Sequence, residues 1–232
     1  MQIVFVCGGK GQRLQPRSVH AKSLMQIAGS SLLARLVAQF APLHRSSKPP
    51  LVIVAAGDDE TPRVASALLP GAHVVAQAQP DGVANVLLMV QPLLDEYVIV
   101  TLGDLFLDGS FAAFGAWPSL THWPDGSEAD TRHNFGIVAN GAVVTRVVEK
   151  PHDSRSMQCG VGVYVLNHEA ISCFRAAPVN ACSGERGITD GLQAAIDAGI
   201  TFRVIPFSGY YRNVNSLGDV AAIEQRLARP VR

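Results

Sequence analysis

Three strings in this chain combine glycine, fixed positive charge and carboxylate in ways that suit phosphate chemistry. Gly8-Gly9-Lys10-Gly11-Gln12-Arg13-Leu14-Gln15-Pro16 follows an apolar run directly, and Lys22 comes shortly after it. Glycines at such a place let backbone N–H groups approach an anion closely, while Arg13 and Lys22 supply full charges for phosphate oxygens. Leu102-Gly103-Asp104 puts a carboxylate behind another apolar run, where a hard cation carried by a nucleotide finds an oxygen ligand. Glu149-Lys150-Pro151 sets a hydrogen-bond acceptor beside an ammonium at the end of a further strand-like run. Two other phosphate loops do not fit. A dinucleotide fingerprint needs a third glycine where Leu14 stands and an acidic residue where Ala56-Gly57 follows residues 51–55. The Walker string G-x-x-x-x-G-K-[ST] does not occur.

The elements that carry these strings alternate. Residues 3–7, 51–55, 73–76 and 97–101 are short β-branched runs and predict buried strands; residues 31–40, 62–69 and 83–94 between them predict helices. That order argues for parallel strands with crossover helices, so Gly8, Gln77 and Asp104 all stand at carboxyl ends, where open α/β sheets bind ligands. Residues 117–133 show neither period and are expected to form a long loop. Beyond it, residues 135–139 and 143–148, separated by a turn signal at Asn140-Gly141, predict an antiparallel hairpin, and residues 159–166 a further strand. A helix is expected over 189–198, with Thr189 as N-cap and Gly199 past its end. A last helix starts near Leu217, with a capping box at Ser216-x-x-Asp219 and Val220, Ile223 and Leu227 as its apolar face.

Composition bounds the partners. The 232 residues are 48% hydrophobic and carry nineteen basic against nineteen acidic side chains, which excludes a disordered chain and gives no positive field for nucleic acid. The expected partner is small. Apolar stretches such as 51–56 fall far short of the roughly 20 residues that cross a bilayer, so no membrane partner is expected. Met1-Gln2 leads into residues 3–6 and the glycines without the basic start and apolar run of a secretory signal, which predicts a cytoplasmic protein. Cys7, Cys159, Cys173 and Cys182 contain no C-x-x-C pair and are expected to be reduced, packed thiols.

The glycine string resembles the signature of the sugar-1-phosphate nucleotidyltransferases, G-G-x-G-x-R-L-x-P followed by Pro-Lys. It matches throughout except that Ala21 stands before Lys22. The resemblance runs over about residues 1–228. It implies a Rossmann-like α/β fold formed as a single domain over residues 1–232, with a mixed, mainly parallel sheet flanked by helices and a small antiparallel element. It also implies transfer of a nucleoside monophosphate from an NTP, with UTP or dTTP favoured through Gln77, to a sugar 1-phosphate. In that reading Gly8, Gly9, Gly11 and Arg13 hold the triphosphate, and Lys22 lies close to the reacting phosphates. Gln77 and Gly82 meet the base. Gly136, Gly162, Glu149, Lys150 and Glu185 meet the sugar phosphate. Mg²⁺ would be held by Asp104 with Asn213 or Asn215. An aspartate matches Asn213 in the thymidylyltransferase branch, and an asparagine aligns with Asn215 in the N-acetylglucosamine branch. A phosphocholine or molybdopterin acceptor, a nucleotide-binding protein without turnover, and a homo-oligomer all stay open.

Overall fold

The computed structural model describes residues 1–8, 21–79, 81–181 and 183–228. Its first strand, β1 (Gln2–Val6), is buried along its whole length and lies parallel to β4 (Leu51–Ala55) on one side and β6 (Tyr97–Leu102) on the other. β5 (His73–Gln77) extends the parallel set beyond β4, with Ile53 opposite Val75. β1, β4 and β6 read as unbroken apolar runs because both faces are covered, whereas β5, expected to be buried, is a half-exposed edge strand. Ile3 and Phe5 pack with Leu33, Leu36 and Phe40 of α1 (Leu32–Phe40), and α2 (Glu60–Leu68) adds Ala65 on that side. Val4 and Val6 pack on the other face with Val86 and Leu87 of α3 (Val83–Val90). Ser31 caps α1 by accepting from the Ala34 amide at 3.1 Å. Between Lys22 and α1 lies a two-strand turn, β2 (Gln26–Ile27) and β3 (Ser30–Ser31).

β6 runs through Gly103-Asp104 straight into β7 (Leu105–Phe111), which pairs antiparallel with the end of the long strand β12 (Arg203–Asn213), Leu105 facing Asn213. The expected loop at 117–133 instead holds β8 (Ser119–Trp123) and α4 (Glu128–His133). β8 is a short segment whose Ser119, Leu120 and Thr121 are buried because β12 and β11 (Gln158–Asn167) flank it. Its hydroxyls hide it from an apolar period. α4 starts on a capping box, Ser127 with Asp130, that prolines and glycine nearby obscure.

The predicted hairpin forms as β9 (Phe135–Asn140) and β10 (Val143–Glu149), with Gly141 at φ +59°. The ten-stranded sheet has the order β5-β4-β1-β6-β11-β8-β12-β10-β9, with β7 paired to β12 and β9 also meeting β11. The α/β class is as expected. Its antiparallel part is larger than a small element, since β11 joins the parallel set directly at β6.

α5 (His168–Cys173) and α6 (Ile188–Asp197) cover the face that α3 covers. The N-cap of α6 is Gly187, not Thr189, which is buried in the first turn. α7 (Leu217–Leu227) has the predicted Ser216–Asp219 capping box. Ile223 and Val220 pack against Ile27, Phe106 and Val214, but Leu227, in the final turn, lies beyond that cluster and is exposed. Cys7, Cys159 and Cys173 are free thiols; Cys182 lies outside the described residues. Burial pushes the Cys7 thiol up to about 12 and Cys159 to about 11, so both stay protonated. Among the described residues no helix is long and apolar enough to cross a membrane.

Candidate active site

Lys22, Asp104 and Asn215, remote in sequence, meet at the carboxyl end of β6. The Lys22 ammonium donates to Asn215 Oδ1 at 2.8 Å and to Asp104 Oδ2 at 3.3 Å, and both charged side chains are mostly shielded, at 16% and 24% exposure. Backbone holds the turn that bears Asp104. The Gly103 amide donates to Val6 O at 2.8 Å, and a β-carbon on Gly103 would stand 2.9 Å from Cys7 Sγ. Only glycine therefore lets the turn bearing Asp104 lie against the end of β1. Asp104 O in turn accepts from the Val214 amide at 2.8 Å, which ties the 213–215 segment to it. Asp219 completes the frame. Its carboxylate accepts from the amides of Asn215 and Ser216 and from Arg212 Nε, so α7's capping box also fixes Asn215.

Gly162 belongs to the same frame. A β-carbon there would meet Leu102 Cδ1 at 2.8 Å and Leu105 Cδ1 at 3.3 Å, the residues on either side of the Gly103-Asp104 turn. Packing against these two leucines disfavours a side chain at this position. At Gly136 the neighbour is Met157, whose Sδ would lie 2.6 Å from an added β-carbon.

Oxygen donors surround the ammonium: one carboxylate and one amide carbonyl. A second amide oxygen, Asn213 Oδ1, is buried and has no hydrogen-bond partner among the described residues. Asn213 pairs with Leu105, next to Asp104. Among the described residues no group of three His, Cys, Asp or Glu side chains gathers. The set fits a hard divalent cation that keeps water or phosphate oxygens on its remaining positions, and it does not fit zinc.

Gln77 ends β5 on the same side of the sheet. Its Nε2 donates to Asp81 Oδ1 at 2.7 Å, and its Oε1 lies 3.1 Å from where a β-carbon on Gly8 would stand. Gly82, at φ +101°, opens α3, and a β-carbon there would collide with Arg186 O at 2.2 Å. Gly9, Gly11 and Arg13 lie outside the described residues.

Glu149 and Lys150 stand at the end of β10. Lys150 takes φ +42°, its amide donates to Asn134 O at 2.9 Å, and its ammonium lies 3.3 Å from Glu149 Oε1 with both side chains half exposed. Glu149 Oε2 accepts from Thr189 Oγ1 at 2.8 Å. Burial, with the Glu149 charge behind it, pushes the neighbouring Asp190 carboxyl above its ordinary range. Asn134 Oδ1 accepts from the Tyr211 hydroxyl at 2.9 Å, and burial raises that phenol so far that it stays a donor. Tyr211 lies on β12, the strand that ends at Asn213, so one strand links the Lys150 turn to the Asp104 cluster. Glu185 is exposed in the loop before α6, and among the described residues its side chain makes no hydrogen bond.

A family model described as nucleotidyl transferase matches residues 2–225. The chain belongs to the nucleotidyl transferase family. It is 28% identical over 243 residues to a glucose-1-phosphate thymidylyltransferase of Streptomyces griseus, covering 97% of this chain and 65% of that one. It is 26% identical over 248 residues to the UTP-glucose-1-phosphate uridylyltransferase AglF of Haloferax volcanii, covering 98% and 96%. Among solved structures, the inositol-1-phosphate CTP transferase from T. maritima superposes with a TM-score of 0.78 at 16% identity, covering 100% of this chain and 97% of that one. A UDP-glucose pyrophosphorylase complexed with UDP-glucose gives 0.77 at 16%, covering 97% of each chain. These two likenesses establish the fold.

Four residues of this nucleotidyl transferase support the site through contacts that the sequence does not disclose. Thr189 reads there as a cap, Asp81 and Arg186 as loop residues, and Asp219 only as half of a capping box. Their partners are 40, 4, 101 and 4 positions away along the chain, separations that only the folded sheet, or for the short ones the local turn, makes meaningful.

Proposed function

We propose that this chain transfers a nucleoside monophosphate from UTP or dTTP to a sugar 1-phosphate, releasing pyrophosphate. The observation that carries the reading is the shielded Lys22–Asp104–Asn215 cluster at the carboxyl ends of the parallel strands, next to the start of the glycine loop. An oxygen of the sugar phosphate attacks the α-phosphorus. The bond from that phosphorus to the oxygen bridging to the β-phosphate breaks, and its electron pair leaves with pyrophosphate. No side chain need take a proton, because the attacking phosphate is ionised near neutral pH. Positioning and charge neutralisation then supply the catalysis.

In this reading Gly8, Gly9, Gly11 and Arg13 hold the triphosphate, and Lys22 turns from its present partners to the phosphates. Asp104, with Asn213 or Asn215, would hold Mg²⁺, which when bound neutralises phosphate charge. The orphaned Asn213 Oδ1 and the oxygen-only donor set support that assignment. Gln77 and Gly82 meet the base. Lys150 orients the attacking phosphate, Glu149 accepts from sugar hydroxyls, and Gly136, Gly162 and Glu185 border that subsite. The names of the two curated relatives support a glucose-type acceptor.

The test is pyrophosphate release with Mg²⁺, using each of the five common nucleoside triphosphates against a panel of sugar 1-phosphates. Release that requires both a uridine or thymidine triphosphate and one sugar phosphate supports the proposal. Release without any sugar phosphate, or none with any pair, overturns it.

A further inference from the structure

Gln77 carries an amide, and an amide can be read in two senses. Turned one way it offers an acceptor and then a donor, which suits the ring N3–H and neighbouring carbonyl of uracil or thymine; turned over, it offers the reverse pattern, which suits cytosine. A glutamine free to turn therefore discriminates poorly. Here it is not free. The carboxylate of Asp81 only accepts, so the amide atom 2.7 Å from it must be the nitrogen, and turning the amide would set oxygen against oxygen. That leaves Oε1 on the glycine-loop side, over Gly8.

The anchor is itself braced. Asp81 O accepts from the Arg186 amide at 2.8 Å and from Asn85 Nδ2 at 3.0 Å. Arg186 also donates through Nη1 to Asn85 Oδ1 at 2.7 Å and through Nε to Ala177 O at 3.0 Å. Gly82, beside Asp81, has no room for a β-carbon against Arg186. Such framing from a separate segment keeps the carboxylate in place while the nucleotide enters.

We infer that Asp81 is a specificity-determining positioning residue: it locks the Gln77 amide in the sense that accepts from a pyrimidine ring N–H, and so selects uracil or thymine against cytosine. The inference rests on the proposed placement of the base at Gln77. Asp81→Asn is the informative change, because an asparagine amide can turn with Gln77 and satisfy either sense while keeping the size of the side chain.

The experiment measures kcat/KM for UTP, dTTP and CTP, together with the melting-temperature shift each nucleotide produces, in the parent, Asp81→Asn and Gln77→Leu. A charge-assisted hydrogen bond sets the expected scale, so the preference for UTP or dTTP over CTP should fall by about 10- to 100-fold in Asp81→Asn, mainly through improved use of CTP. Gln77→Leu should bring the nucleotides together by weakening the preferred one. An unchanged ratio in Asp81→Asn, or a parent that takes CTP as readily as UTP, overturns the inference. Absence of turnover in the parent would fail the functional reading alone, since the melting shifts of UTP and CTP still test the lock; equal or absent shifts would overturn it too.

Discussion

The two halves of the site are built differently. On the side proposed for the nucleotide, Lys22 and Asp104 are shielded and paired, Lys22 also donates to Asn215, and backbone bonds to β1 and from the segment after β12 fix the Asp104 turn. On the acceptor side, Glu149 and Lys150 stand half exposed at a strand end, their ion pair open to solvent and secured by one hydroxyl. An exposed pair of that kind contributes little by itself. In the proposed reading the nucleotide side is preorganised, as charge stabilisation requires, whereas the acceptor side would gain its order from the substrate. Changes on the first side should therefore show in kcat, and changes on the second in the KM for the acceptor.

Asp104→Ala should have the largest effect. Loss of one preorganised group at the reacting phosphates costs on the order of 10²- to 10³-fold in kcat, with folding judged by melting temperature nearly unchanged. Wild-type turnover in this variant would remove Asp104 from the centre. Lys150→Ala comes next, with a rise of about 10- to 100-fold in the KM for sugar phosphate and little change in that for the nucleotide. Equal effects on both constants would end the division into two sides. Thr189→Ala sharpens the acceptor half: losing one neutral donor to Glu149 should raise the acceptor KM by about 3- to 10-fold, and Thr189→Ser should restore it.

The smallest effect concerns pH. Because the Asp190 carboxyl is raised in the folded chain, the folded state binds its proton more tightly than the unfolded one, and stability declines as pH rises through the raised value. Asp190→Asn should thus raise the melting temperature at pH 7 by up to about 2 °C. That gain should vanish once the pH drops below the ordinary carboxylate range. Melting curves of both proteins from pH 3 to 7 check the sign.

The same two halves differ in how far their sequence discloses them. Residues 3–7, 51–55 and 97–101 announce parallel strands because burial on both faces leaves uninterrupted apolar runs, whereas residues 73–76 form a half-exposed edge strand legible only from their β-branched pair. β12 hides behind Pro206, Gly209 and alternating exposure, and β8 behind Ser119 and Thr121, buried hydroxyls that mimic a loop. Asp104 and Gln77 stand out from their place after predicted strands, Lys22 from its place behind the glycine string, and the two asparagines only through the family resemblance. What stays hidden is their mutual support, since Thr189 on Glu149 depends on where α6 begins, and a local capping signal placed that start two residues late.

Transfer at the α-phosphorus is the centre of this account, and isotope position tests it most directly. With Mg²⁺ and an accepted sugar 1-phosphate, nucleoside triphosphate labelled at the α-phosphate should pass its label to the sugar nucleotide, while γ-label should leave wholly in pyrophosphate. Label from the γ-position in the sugar product would contradict it, because the chain would then be a phosphotransferase and the Lys22–Asp104–Asn215 cluster would serve a different bond.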